Sequence, residues 1–253
     1  MKYNRLLPLL IPLIVLMFFE VFFFYPKMIY AVLILVNLFI FFTVWRFSRA
    51  SDVDKSWWNF FILPCLMSAS IIAYTVLLAN KTIIQSLFIL NVILLYFYLR
   101  YVYYYLFRPA AYKPFSIENI SSYGNFLTFF LISAACYGLQ SFLNLRVWLL
   151  MAVVLLAAAL IIYQIIWANK IDFKKSLPYI LINCLILAEL SWSLSFLPLN
   201  HNVSGLTLAI CYYMLMGLSR HHLLGGLDKS KIKLYLSFGF ISILIILLTA
   251  RWL

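Results

Sequence analysis

The sequence predicts an all-α protein, a polytopic transmembrane helical bundle of about nine spans with a cytoplasmic N-terminus. Three observations lead to this prediction. Of the 253 residues, 66% are hydrophobic and 10% are charged, whereas ordinary soluble domains are roughly 45–50% apolar and about 25% charged. The apolar residues form continuous runs of bilayer length. The basic residues lie between these runs, with many in every second connection. The whole chain, 1–253, is expected to form a single integral membrane domain.

Nine apolar segments approach the length of about 20 residues that a spanning helix needs. The first follows Lys2 and Arg5, as the core of a signal peptide would, but the run is longer than such a core and no A-x-A pattern follows it, so we expect a retained helix. Because the connections are short, successive helices should be antiparallel neighbours. The predicted spans are 6–25, 28–47, 57–79, 82–106, 122–143, 146–168, 177–198, 203–224 and 233–252.

The distribution of basic residues predicts the orientation. Of the 19 lysines and arginines, all but Lys27, Lys81, Arg146 and Arg251 fall on the side of the N-terminus. Cytoplasmic connections of membrane proteins carry an excess of Lys and Arg, so this side is predicted to be cytoplasmic and the C-terminus to lie outside.

Tyrosines crowd the predicted cytoplasmic end of the fourth span. Tyrosine rings suit the level of the lipid headgroups because the ring body is apolar and the hydroxyl is polar. We therefore interpret this group as an interfacial aromatic belt. Its members are Tyr96, Tyr98, Tyr101, Tyr103, Tyr104, Tyr105 and Tyr112.

The net charge of +12 does not predict nucleic-acid binding, since the basic residues interrupt apolar runs and do not form one soluble face. The expected partners are the lipid bilayer and other membrane subunits. The four cysteines lie in apolar segments without a CxxC pair or a histidine at ligand spacing, so neither a metal nor a cofactor is predicted. The expected location is the cell membrane, of the bacterial inner-membrane type.

The seventh predicted span carries an acid, Glu189, in its outer half. An ionisable side chain at membrane depth is costly and marks a candidate functional site. Ser193 should share its helix face, and Gln140, Ser141 and Asn144 are candidate hydrogen-bond partners at the outer end of the fifth span. Such a site could line a polar cavity, bind a cation or relay a proton. The alternative interpretation is a hydrogen bond that locks two helices together.

A second acid, Glu20, lies near the outer end of the first span. It could reach water or meet Lys27. Because Glu20 and Glu189 have similar predicted depths, a site with two carboxylates is conceivable.

A polar cluster is predicted at the cytoplasmic end of the eighth span. Arg220, His221 and His222 end this span, and Lys229 follows a Gly-Gly turn. The cluster could contact a phosphate or a lipid headgroup. Adjacent histidines point about 100° apart on a helix, so they make a poor metal pair.

No catalytic motif is present, so three classes of function remain open. The first is a structural or assembly subunit of a membrane complex, favoured by the short connections and the scarcity of charge within the spans. The second is a small transporter or permease with Glu189 as its intramembrane polar site. The third is a lipid-modifying enzyme that uses the Arg220, His221 and His222 cluster.

Two stretches, RPAAYKPFSIENISSYGN at 108–125 and SWSLSFLPLN at 191–200, carry a resemblance to a known group of proteins. The chain resembles uncharacterised multi-pass membrane proteins of candidate-phyla bacteria. That group has no assigned activity, so the resemblance implies a membrane protein but no site residues.

Overall fold

A computed structural model describes residues 5–49 and 57–250 of the chain. In this part, nine α-helices follow one another, and two short 3₁₀ turns, Pro26–Met28 and Pro109–Ala111, lie in the connections. The helices are α1 (Leu7–Phe24), α2 (Ile29–Arg49), α3 (Trp58–Thr75), α4 (Lys81–Phe107), α5 (Ser116–Leu143), α6 (Val147–Ala168), α7 (Phe173–Leu194), α8 (His201–Leu223) and α9 (Lys229–Thr249).

All nine of these helices are long and apolar enough to cross a membrane, which confirms the predicted fold class and the number of spans in the described ranges. α9 illustrates why lipid is the natural solvent. Tyr235 and Gly239 are buried, whereas Phe240, Leu248 and other large apolar side chains of α9 are exposed. A surface of this kind is unfavourable in water and favourable against hydrocarbon. The cytoplasmic position of the N-terminus stays a prediction.

Capping side chains extend several helices beyond their apolar runs. Asn80, Asp172, Asn200 and Asp228 accept hydrogen bonds from backbone N–H groups in the first turns of α4, α7, α8 and α9, respectively. These bonds satisfy donors that the first turn of a helix leaves without partners. α9 therefore begins at Lys229, about one turn earlier than hydropathy predicts.

α5 also begins earlier than predicted, at Ser116 instead of 122. The backbone N–H of Ile117 donates to the Tyr112 hydroxyl at 3.3 Å, and that hydroxyl donates to the Glu118 carboxylate at 3.3 Å. Residues 116–121 are too polar to be recognised as part of an apolar run. Their helical conformation is supported by these local bonds.

The chain divides into two compact units, Met1–Asn125 and Phe126–Leu253, with the boundary inside α5. In the first unit, α1 packs on α2 and α4, and α3 packs on α2 and α4. The Asn91 amide of α4 donates to the Ser68 hydroxyl of α3 at 3.5 Å. The single domain predicted from the sequence stays a prediction.

In the second unit, α6 packs on α7, α7 on α8, and α8 on α9. α8 also lies close to the part of α5 that belongs to this unit. The rings of Phe129 and Tyr212 stack with centroids 4.5 Å apart, and a Cβ atom placed on Gly205 would lie 2.7 Å from the backbone of Ala134. Small residues allow this close approach of helices in membranes.

Candidate functional site

Glu189 lies on the exposed face of α7. Leu185 and Trp192 share this face, and Phe196 follows two residues after the end of α7. The three side chains are 61%, 53% and 68% exposed. The Ser193 hydroxyl donates to the backbone carbonyl of Glu189 at 2.8 Å, so this bond does not involve the carboxylate. Within the described residues, the Glu189 carboxylate has no hydrogen-bond or ion-pair partner. The candidate acid therefore lies on an apolar outer surface.

Gln140, a predicted partner of Glu189, binds the end of α7 instead. Its side-chain amide donates to the backbone carbonyl of Ser195 at 3.3 Å. About one turn earlier along α5, the Tyr137 hydroxyl donates to the carbonyl of Ser191 at 3.0 Å. Because carbonyls at a helix C-terminus lack partners within the helix, Gln140 stabilises the end of α7 against α5.

Glu20 of α1 has a partner inside the first unit. One of its carboxylate oxygens accepts a hydrogen bond from the side-chain amide of Gln85 in α4 at 3.1 Å. Sequence reasoning named Lys27 as a candidate partner and missed Gln85, because nothing in the sequence shows that α1 packs on α4. Glu20 belongs to the first unit and Glu189 to the second.

The predicted headgroup cluster forms the end of α8. Arg220, His221 and His222 lie in its last turn, and the two histidines contact different helices. The Nε2 atom of His221 is 3.4 Å from the Tyr235 hydroxyl of α9. The ring of His222 lies 5.4 Å from the ring of Tyr179 of α7. The histidines therefore do not converge on one ligand.

The turn after α8 is closed by its own backbone. Gly225 has a φ of 68°, and the N–H of Gly226 donates to the carbonyl of His221 at 3.0 Å, which is the long bond of a Schellman motif. The Lys231 ammonium donates to the Gly226 carbonyl at 2.6 Å. Lys229 is the first residue of α9. Helix termination and capping account for the geometry of this turn.

Arg220 also lines a cavity of about 10 Å³ in the second unit, together with Asn183 and Ser219. These last two residues exchange hydrogen bonds of 3.0 and 3.3 Å. A cavity of this size holds at most about one water molecule. It is too small for a phosphate or a lipid headgroup.

In residues 5–49 and 57–250, no group of three or more His, Cys, Asp or Glu side chains is placed to hold a metal ion. Cys65, Cys136, Cys184 and Cys211 are all free thiols.

A cavity that the sequence does not predict lies in the first unit, between the start of α1 and the end of α4. Its volume is about 280 Å³, and Arg5, Arg100 and Arg108 line it. In the sequence these are three separate basic residues, and only the packing of α1 on α4 brings them together. One local signal was available, because the spacing of Tyr96, Arg100 and Tyr104 places all three on one helix face.

The comparisons with known proteins give a family but no activity. A model of the family described as "Protein of unknown function (DUF5656)" matches residues 28–249, which include α2 to α9. Neither the curated proteins nor the solved structures include a match to the chain. The match agrees with the expected resemblance to uncharacterised proteins, while the candidate-phyla source stays a prediction. The chain belongs to the DUF5656 family, whose function is unknown.

Proposed function

We propose that the protein is a subunit of a membrane protein complex and that the exposed face of α7 around Glu189 binds a transmembrane helix of another subunit. The partner helix carries a lysine or arginine at the depth of Glu189. One observation carries the proposal: this acid is exposed on an apolar helix face and has no partner among the described residues of its own chain.

The position of Glu189 along α7 makes its exposure costly. α7 ends at Leu194, so at 1.5 Å per residue Glu189 lies about 7–8 Å inside that end. On insertion scales, a charged side chain at the centre of a spanning helix costs about 2.5–3.5 kcal/mol, and the cost falls towards the surface. A cation on a neighbouring helix would offset this cost.

The other acidic residues of the described helices have partners within the first unit. Glu20 accepts a hydrogen bond from Gln85, and Glu118 accepts one from Tyr112. Glu189 differs from both, and this difference favours a partner outside the chain.

The residues around Glu189 suit helix–helix contact. Leu185 lies four residues before it and Trp192 three residues after it, so the three share one helix face. The rings of Trp192 and Phe196 meet edge to face with centroids 5.6 Å apart. Exposed apolar anchors at this spacing are typical of helices that bind a groove or another helix, and aromatic residues often carry much of the binding energy.

A second copy of this chain fits the face poorly. Two α7 faces in contact would bring two Glu189 carboxylates together, which like charge disfavours. Among the described residues, the basic residues predicted on the outer side are Lys27, Lys81 and Arg146, and each lies at or beyond a helix end instead of at the depth of Glu189. Arg100 lies deeper, two turns before Phe107, but near the end of α4 that is predicted to be cytoplasmic. The cation that pairs with Glu189 is therefore assigned to a different protein.

Site-specific photo-crosslinking in the native membrane tests the proposal. p-Benzoylphenylalanine replaces Leu185 in the full-length chain, and we expect an adduct with another membrane protein. Mapping of the adduct should place a Lys or Arg of that protein's spanning segment beside α7. Glu189→Gln should abolish the adduct. The matched control, Glu20→Gln, makes the same change at the acid that bonds to Gln85 and should preserve it.

Adducts with lipid or with a second copy alone would overturn the proposal. So would an adduct that Glu189→Gln leaves unchanged. If Glu189→Gln leaves the adduct intact but abolishes proton-coupled uptake by the cells, the transporter alternative replaces the subunit proposal.

A further inference from the structure

The cavity between α1 and α4 has a positively charged wall. Arg5, Arg100 and Arg108 line it, and among residues 5–49 and 57–250 no acidic side chain does. The acids described in the first unit, Glu20 and Glu118, bond to other residues. Like charges that share a cavity repel one another, and a bound anion would relieve that repulsion.

Arg100 is held in place by two tyrosines of its own helix. Its Nη1 atom donates to the Tyr96 hydroxyl at 2.9 Å, and its Nε atom donates to the Tyr104 hydroxyl at 3.3 Å. Its guanidinium also lies 5.8 and 5.5 Å from the centroids of these two rings. A guanidinium has five N–H donors, so three are left for a ligand. The tyrosines fix the orientation of the group before any ligand arrives.

The stabilisation of a helix end by a nearby cation does not explain the position of Arg100. Cations stabilise a helix terminus only within about the last turn, and Arg100 lies two turns before the end of α4 at Phe107. Arg49 represents the ordinary case, since it is the last residue of α2 and its guanidinium lies 4.5 Å above the ring of Trp45. Arg49 does not line the cavity.

We propose that this cavity binds the phosphate group of an anionic membrane lipid. Arg100 would donate a pair of hydrogen bonds to the phosphate, and Arg5 and Arg108 would contact its remaining oxygens. Guanidinium groups match phosphate in geometry and charge, which makes arginine the preferred residue for two-point recognition.

The position and size of the cavity favour a lipid as the source of the phosphate. The cavity lies where one predicted span begins and another ends, which is the level of the headgroups. Leu6 and Leu9 line it as well, and both are exposed, so acyl chains could lie along them. Its volume of about 280 Å³ is at the lower limit of ligand pockets, which are roughly 300–1,000 Å³. It suits a headgroup with the chains outside.

Native mass spectrometry of the full-length protein in detergent tests this inference. The inference does not depend on the proposal that the α7 face binds another subunit. The lipid probes are phosphatidic acid, phosphatidylglycerol and the zwitterionic phosphatidylcholine. Glycerol 3-phosphate and inorganic phosphate are the soluble probes. We expect the two anionic lipids to bind more tightly than phosphatidylcholine, and the soluble probes to displace neither at equal concentration.

Variants identify the site. Arg100→Gln should weaken phosphatidic acid binding by about tenfold or more, as expected for the loss of a charged hydrogen-bond pair. Arg100→Lys keeps the positive charge but lacks the planar guanidinium, so it should give a smaller loss of affinity. Arg5→Gln, a change in the exposed segment before α1, provides a second test if the Arg100 variants do not fold. Arg49→Gln is the matched control and should leave the affinity unchanged within about twofold.

Three results would overturn the inference. Equal losses in Arg100→Gln and Arg49→Gln would indicate general surface charge. Equal affinity for phosphatidylcholine would exclude selection for an anionic lipid. Displacement of the lipid by glycerol 3-phosphate at equal concentration would indicate a soluble phosphate ester as the ligand.

Discussion

The side-chain amide of Gln85 donates a hydrogen bond of 3.1 Å to the carboxylate of Glu20, and this bond joins α4 to α1. The sequence places Glu20 and Glu189 at similar depth, yet their surroundings differ. Glu20 has a donor from a neighbouring helix, whereas Glu189 lies exposed among apolar side chains of α7. The first acid is interpreted as a structural contact and the second as a binding residue.

The contact between Glu20 and Gln85 should contribute measurably to stability. Gln85→Leu removes the donor and leaves the carboxylate without its partner, so we expect a loss of about 1–2 kcal/mol in the free energy of unfolding. Ser86→Ala, which removes a hydroxyl that bonds to the carbonyl of Thr82 within α4, is the control and should have little effect. Unfolding in mixed micelles measures both. Equal stability of Gln85→Leu and the wild type would contradict this assignment.

Asn183 of α7 and Ser219 of α8 exchange two hydrogen bonds and should be energetically coupled. A double-mutant cycle with Asn183→Ala and Ser219→Ala isolates the coupling free energy. We expect about 0.6 kcal/mol, with an upper limit of about 1.7 kcal/mol, as for other hydrogen bonds between membrane helices. Strictly additive effects of the two substitutions would show that the pair does not stabilise the fold.

Gly205 should tolerate no side chain. A Cβ atom there would lie 2.7 Å from the backbone of Ala134, so Gly205→Ala must push α8 away from α5, at a cost of about 1–3 kcal/mol. Gly226→Ala is the matched control, because the nearest atom to its Cβ would be the Lys231 ammonium at 3.4 Å. The melting temperatures of the two variants measure the difference in stability. A Gly205→Ala variant as stable as Gly226→Ala would show that these helices are not packed closely.

Tyr112 should make stability depend on pH in the alkaline range. Burial, with a smaller effect from the Glu118 charge, raises the pKa of this phenol to about 12, compared with about 10 in an unfolded chain. The folded state retains the proton more strongly, so stability should fall as the pH rises from about 10 to about 12. Tyr112→Phe should flatten this part of the profile of melting temperature against pH.

The control for Tyr112 is Tyr123→Phe, a change at an exposed tyrosine of α5. This variant should show the same dependence of melting temperature on alkaline pH as the wild type. Profiles of the same shape for the wild type and Tyr112→Phe would contradict the raised pKa.

The predicted orientation can be tested by labelling with a membrane-impermeant maleimide. In a variant whose four native cysteines are replaced, Arg146→Cys should react in intact cells, because its connection is predicted to lie outside. Lys113→Cys should react only after the cells are permeabilised. The reverse pattern would place the N-terminus outside.

The membrane fold class and the nine helices of the described residues could be predicted from the sequence alone. Both follow from properties that are local along the chain, since the length of an apolar run determines whether it can span a bilayer. The predicted bounds are wrong at helix starts such as Lys229, where a capping aspartate continues the helix into polar residues. They are also wrong at helix ends such as that of α3, which ends at Thr75 instead of 79. The sequence also identified Glu189 as an unusual acid, because a charged residue within an apolar run stands out without any structure.

The partners of the polar groups, in contrast, depend on how the helices pack together. Gln85 was not recognised as the partner of Glu20, and Gln140 bonds to Ser195 instead of Glu189. The cavity lined by Arg5, Arg100 and Arg108 was likewise unpredictable, because Arg5 is far from the other two in sequence. Hydropathy determines that a helix crosses the membrane, but the fit of side chains between helices determines its neighbours, and these neighbours create both the contacts and the cavity.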